Sequence, residues 1–199
     1  HVGSLILLGT VLTERFPRSM QDLKPYSPDP IPLTELILAG KGEGWLLQVL
    51  GKSDLREEHR TARPWSIKNQ HKYLEAPRDL DGYTPLHVAA ELNYDRLAMK
   101  IVADGARVDL PNHHGHTALM LAAARGHVKT VEVLLRLGAA HGARDRAGKQ
   151  PLHHAMTGSP HAPEVVRLLS RARADVDARD LRGVTPLMLG AAAQATGAV

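Results

Sequence analysis

The sequence predicts an all-α solenoid of stacked helix-turn-helix repeats with projecting turns or short hairpins, on three observations. Four blocks recur in the second half: DLDGYTPLHVAA from Asp79, NHHGHTALMLAA from Asn112, DRAGKQPLHHAM from Asp145 and DLRGVTPLMLGA from Asp180. Their glycines, Gly82, Gly115, Gly148 and Gly183, lie 33, 33 and 35 residues apart, as do Leu86, Leu119, Leu152 and Leu187. A period of this size marks one supersecondary unit that buries its apolar face only against its neighbours. Within each unit the apolar residues fall at helical spacing. Finally, aromatics are 4% of the chain with a single Phe, so the core must be built from Leu, Val, Ile and Ala. That suits closely packed helices better than a sandwich of strands.

From the start of the chain, Val2 to Phe16 can form an apolar helix. It lacks the basic opening of a secretory signal, and no run reaches the roughly 18 apolar residues of a membrane span. Pro17, Pro25, Pro28, Pro30 and Pro32 mark an extended linker. Residues 1–31 thus read as a helix plus linker closing a preceding region. PLTELILAGKGEGWLLQVL from Pro32 to Leu50 has the order Pro-Leu, apolar helix, Gly turn, apolar helix, and is expected to be a degenerate unit. Lys52 to Pro77 is a polar, charged insertion with Trp65 and Tyr73 as anchors, completing a region over 32–78. The regular array occupies 79–199, divided as 79–111, 112–144, 145–179 and an incomplete 180–199. The chain starts at His1 without an initiator Met and stops before a second helix in the fourth unit, so it is expected to be cut at both ends.

One unit explains the rest. Asp79 and Gly82 are turn residues, because Asp bonds its own nearby backbone and Gly tolerates positive φ. Thr84 is placed at the N-cap and Pro85 at the first helical position, where a missing N–H costs nothing. Leu86, Ala89 and Ala90 follow at helical spacing. Asn93 breaks this short helix, as Gly126 does one period later. A second helix carries Leu97, Ile101 and Val102 and ends at Gly105. Its counterpart carries Val128, Val131, Leu134 and Leu135, ending at Gly138; Leu134 and Leu135 are both expected to be buried between helix pairs. The third unit holds two extra residues, and a longer turn is expected around Ser159 to Pro163.

This order of turn, short helix, turn and longer helix resembles the ankyrin repeat. The likeness rests on TPLH at Thr84 to His87, RGHVKTVEVLLRLGA from Arg125 to Ala139 and QPLH at Gln150 to His153, and covers about Asp79 to Val199. The resemblance implies that the His of TPLH ties adjacent loops by hydrogen bonds. Only His87 and His153 match that position. Met120 and Met188 stand there in the other units, so weaker ties are expected at those joints. Gln150 replaces the capping Thr, and Ala118 replaces the Pro.

Catalytic chemistry finds little support. The absence of cysteine removes disulfides, thiolate metal sites and cysteine nucleophiles. There is no G-x-S-x-G elbow, and GKGEG at Gly40 to Gly44 lacks the lysine offset of a phosphate-binding loop. Twelve histidines raise the question of a metal, above all His113-His114-Gly115-His116. This stretch falls on an exposed turn tip, with no nearby carboxylate or cysteine expected to complete a rigid site. The expectation is therefore no enzyme, no cofactor and no metal.

A binding role fits better. The resemblance implies a protein-binding scaffold whose concave face is built from first helices and turn tips. Here that surface maps onto Leu80, Asp81, Tyr83, Val88, Glu91 and Leu92, then His113, His114, His116, Leu121 and Arg125. It continues through Arg144, Arg146, Lys149 and His154 to Arg179, Arg182 and Val184. Charge is uneven along it: residues 79–111 hold three basic and six acidic side chains, and residues 138–182 hold eight basic and five acidic. Such a field can orient a partner. The expected partner is another protein with an acidic surface, or a flanking domain of the same polypeptide. An alternative is the targeting arm of a larger enzyme or effector. A less favoured alternative is nucleic-acid binding through the basic C-terminal repeats, which would show as a steep loss of affinity with salt, although that end lacks the dense run of a dedicated binder; no membrane is expected. With no cysteine, signal or spanning segment, an intracellular location, cytoplasmic or nuclear, is the expectation.

Overall fold

The computed structural model describes residues 37, 40, 42–44, 46–47, 81–156 and 161–196. The expected helix over 2–16, the Pro-rich linker, the insertion with Trp65 and Tyr73, and Leu80 lie outside these residues. Seven helices run within residues 81–196, and no strand is placed among the described residues: α1 Pro85–Glu91, α2 Asp95–Ala103, α3 Ala118–Arg125, α4 Val128–Arg136, α5 Pro151–Ala155, α6 Ala162–Arg171 and α7 Pro186–Thr196. The short first helices α1, α3, α5 and α7 pack on one another in chain order, and α2, α4 and α6 form a second row against them. The chain is an all-α solenoid. Among the described residues no helix is long and apolar enough to cross a membrane.

The local chemistry sets each helix start. Thr84 is extended at the N-cap of α1, with Pro85 in the first turn. The Thr84 N–H donates to His87 Nδ1 at 3.1 Å, and the Thr84 hydroxyl lies 2.8 Å from the same nitrogen. Gln150 fills the Thr position before α5, and its N–H donates to His153 Nδ1 at 3.1 Å. Asn93 adopts φ 60° after α1, where Gly126 adopts 73° after α3, so the short polar side chain takes the left-handed turn that glycine takes elsewhere.

The core runs through the first three units of the array and includes residues that precede it. Leu86, Leu97, Ile101, Leu119, Val131, Leu134, Leu152, Val165 and Leu169 are buried together with Ile37 and Leu46. Alanines 89, 90, 122, 123 and 155 are fully withdrawn from water, which lets neighbouring helices approach closely. Residues 43, 44, 46 and 47 are helical, and Glu43 Oε1 accepts the Leu97 N–H at 2.9 Å. Glu43 therefore serves the start of α2, an end that still needs acceptors for its free N–H groups.

Two expectations need correction. Leu134 is buried, but Leu135 is only partly so, because it lies one position round the helix from the stripe formed by Val131 and Leu134. The longer turn does not extend to Pro163. Helix α6 begins at Ala162 and takes Pro163 into its first turn, where the ring replaces an N–H that has no helical partner.

Candidate partner-binding surface

The turn tips are built the same way in three units. Asn112 Oδ1 accepts the N–H groups of His114 and His116, both at 2.9 Å. Asp145 Oδ1 accepts those of Ala147 and Lys149 at 2.8 Å, and Asp180 Oδ1 those of Arg182 and Val184 at 2.9 Å. An Asn or Asp bonding its own backbone folds each tip into a tight turn. Val184 and Arg182 N–H groups also hold the Asp180 carboxyl below its ordinary pKa, outweighing the opposite effect of burial.

Adjacent tips are laced by one backbone bond per joint. The N–H of His113 donates to Asp81 O at 2.8 Å, that of Arg146 to His114 O at 3.2 Å, and that of Leu181 to Ala147 O at 3.0 Å. Imidazoles reinforce two of these joints. His87 Nε2 meets His116 O at 2.9 Å and His153 Nε2 meets Val184 O at 3.2 Å. Since each Nδ1 accepts a backbone N–H and each Nε2 faces a carbonyl, the partners select the neutral Nε2–H tautomer. Burial of His87 lowers its pKa from the ordinary 6.5, in keeping with that neutral form. Met120 leaves the joint between the second and third units without such a tie, as the repeat comparison implies.

That joint carries a different arrangement. His154 Nε2 lies 2.9 Å and His116 Nε2 lies 3.5 Å from Asp145 Oδ2. The two rings meet edge to face with centroids 5.1 Å apart. Desolvation lowers the pKa of both histidines, against the pull of the Asp145 carboxylate. The expectation of no carboxylate near the histidine tip therefore fails. Asp145 is distant in sequence from His116, but the period brings it alongside. Stacking the repeats on paper, with position 145 against the preceding tip, is the signal that finds it.

The remaining candidates divide by burial and pairing. Asp81, His113, His114, Arg125, Arg146 and Arg182 are exposed, as is Leu92, while Tyr83, Glu91, Leu121, Lys149, His154 and Val184 are half-buried. Glu91 pairs with Arg125 across the first joint, and His114 Nε2 lies 3.3 Å from Asp81 Oδ1. Val88 does not belong to a binding surface: it is 1% exposed and joins the core with Ile37 and Leu46. Withdrawing a valine from water is worth about 1.5–3 kcal/mol. Arg144 and Arg179 are turned onto backbone. Arg144 Nη1 donates to Gly148 O at 2.9 Å and to Arg179 O at 2.7 Å, and Arg179 Nη1 to Gly183 O at 3.3 Å. These two guanidinium groups brace tips, leaving Arg146, Lys149 and Arg182 as the outward basic edge.

Comparison with known proteins agrees with this geometry. A pattern of ankyrin repeats in three copies matches residues 46–145 and 97–180, which together span more than half of the chain. The chain belongs to the ankyrin repeat family, whose repeats are generally protein–protein interaction modules. It is 39% identical over 114 residues to NF-kappa-B inhibitor delta of Mus musculus, covering 55% of this chain and 35% of that protein. It is 31% identical over 115 residues to Rabankyrin-5 of Mus musculus, covering 52% and 10% respectively. To neurogenic locus notch homolog protein 1 of Xenopus laevis it is 31% identical over 172 residues, covering 78% and 7%. The chain thus spans about a third or less of the length of these relatives.

Proposed function

We propose that the array binds a partner protein through its turn tips and first helices, and that the basic edge prefers an acidic surface. The function is one of binding rather than catalysis. The observation that carries the reading is the division of labour in the tips. Asn112, Asp145 and Asp180 fold the turns and the backbone laces them together, so Asp81, His113, His114, Arg146 and Arg182 are exposed at positions that the fold does not specify. Helix rows stand about 8–10 Å apart, so Arg146 and Lys149 in one unit and Arg182 in the next form a row of positive charge. The intracellular setting inferred from the sequence belongs to the same proposal.

The test reverses Arg146, Lys149 and Arg182 to Glu and compares this variant with a control carrying Lys129, Arg136 and Arg171 reversed to Glu on the second helices. Both change the net charge equally. Folding should survive in both, since surface substitutions usually cost under about 0.5 kcal/mol each. Capture of the partner should slow several-fold in the tip variant alone, more at low salt than at high, because exposed charges are screened within about 8–10 Å. Equal binding by both variants at both salt concentrations would overturn the basic edge and shift attention to Tyr83, Leu92 and Leu121. A second reading, a targeting arm within a larger enzyme or effector, is favoured by the small share of the relatives' length that the chain spans.

A further inference from the structure

We propose that His116, Asp145 and His154 form a divalent transition-metal site that clasps the second repeat unit to the third, with Zn2+ as its natural occupant. The ligand atoms of the three residues lie within 4.8 Å of one another. Four ligands around zinc at about 2.0–2.1 Å stand about 3.3 Å apart in a tetrahedron. The two edges at Asp145 Oδ2 are 2.9 and 3.5 Å, on either side of that value. Two imidazoles and a carboxylate are a donor set suited to zinc and its borderline neighbours. Three protein ligands leave the fourth position to water.

The repeat itself does not account for this set. Asn112 shows that the turn needs only one side-chain oxygen, Oδ1, so the second oxygen of Asp145 is surplus to folding. The position of His116 is Tyr83, Lys149 or Val184 in the other units, and that of His154 is Val88, Leu121 or Leu189. Both histidines therefore depart from what neighbouring units place there, and both depart toward the same carboxylate oxygen. A substitute for the missing tie at Met120 would need one imidazole, and here two face one carboxylate oxygen. The site is also held and reachable. Backbone bonds fix Asp145 through Ala147 and Lys149, its side chain is 3% exposed, and His154 is 14% exposed. His116, 28% exposed, leaves an entry from solvent.

The experiment titrates the full 199-residue chain with Co2+, read by its visible ligand-field bands, and with Zn2+ in competition, alongside thermal unfolding. One equivalent of Co2+ should bind, Zn2+ should displace it, and Zn2+ should raise the melting temperature, as any ligand specific for the folded state does. Asp145→Asn keeps the turn-forming oxygen that Asn112 uses, so it should remain folded by circular dichroism yet bind Co2+ at least tenfold more weakly. His116→Gln, a change at a turn tip outside any helix, should do the same. A His113→Gln, His114→Gln double variant should retain full affinity. Absence of saturable binding, or binding that survives both Asp145→Asn and His116→Gln, overturns the proposal. Loss with the His113 and His114 pair instead would assign the metal to the exposed tip histidines and overturn it equally.

Discussion

A single glycine illustrates how closely the tips are stacked. Gly115 has φ +81°, and a Cβ there would stand 2.8 Å from the Arg146 nitrogen of the next tip; Gly183 has φ +77° and open space around it. Alanine in the left-handed region costs about 1–2 kcal/mol by itself. Gly183→Ala should therefore destabilise by about 1 kcal/mol, and Gly115→Ala by at least about 2, because backbone cannot yield as a side-chain tip can. Urea midpoints of the two variants check this, and equal losses would refute the close approach. At this scale the sequence was readable where chemistry is local: Thr84 as cap, Pro85 in the first turn, His87 and His153 in their ties. It was unreadable where one unit meets the next. Val88 is buried in the core although its place in the period suggested the binding face, Arg144 turns onto a carbonyl thirty-five residues away, and Asp145 reaches His116 only once the units are stacked.

The helices of the second row show how a stripe is read and where it stops. In α4, Thr130, Val131 and Leu134 are buried while Leu135 is partly exposed. Leu134→Ala should cost about 2–5 kcal/mol and Leu135→Ala clearly less, since the loss grows with the cavity left behind. Chemical denaturation of the pair decides it, and similar losses would mean that the helix is rotated from the placement described. Helix periodicity predicted the stripe correctly but not its edge, because residues one position apart differ by about 100° and the edge depends on the neighbouring helix. At the other end of the array, Leu181 and Leu187 are 77% and 74% exposed. Leu187 holds the place of Leu86, Leu119 and Leu152, all buried, whereas Leu181 holds that of His113 and Arg146, both exposed.

Across the whole molecule, protonation links the joints to stability. His87, His116 and His154 all have pKa values lowered from 6.5, first of all by burial. The unfolded chain therefore takes up protons near 6.5 that the folded chain refuses. The sign follows: their contribution is fully present above about 6.5 and is lost as pH falls through the lowered folded values. Asp180, lowered from 3.8, adds a further loss only at more acidic pH. The urea midpoint should fall between about pH 7.5 and 5.5, and the fall should be shallower in a His116→Gln, His154→Gln double variant. A flat profile in the parent chain would contradict buried neutral imidazoles. The groups facing His116 and His154 are Asp145, His114 and Lys149, so that double variant removes two protonation sites while keeping the opposing charges.

The laced tips carry one more consequence. Every bond in the lacing is specified by place in the period: the Asp81, His114 and Ala147 carbonyls occupy one place, and the His113, Arg146 and Leu181 amides the place just before it. His116 O and Val184 O, which receive the imidazoles, also share a place. Excising one 33-residue period would therefore bring Asp81 O to the Arg146 amide and His87 to the Lys149 carbonyl with the same chemistry. Length is thus a free variable of this architecture, whereas the His116, Asp145 and His154 grouping is tied to one particular seam and would vanish with either unit that forms it.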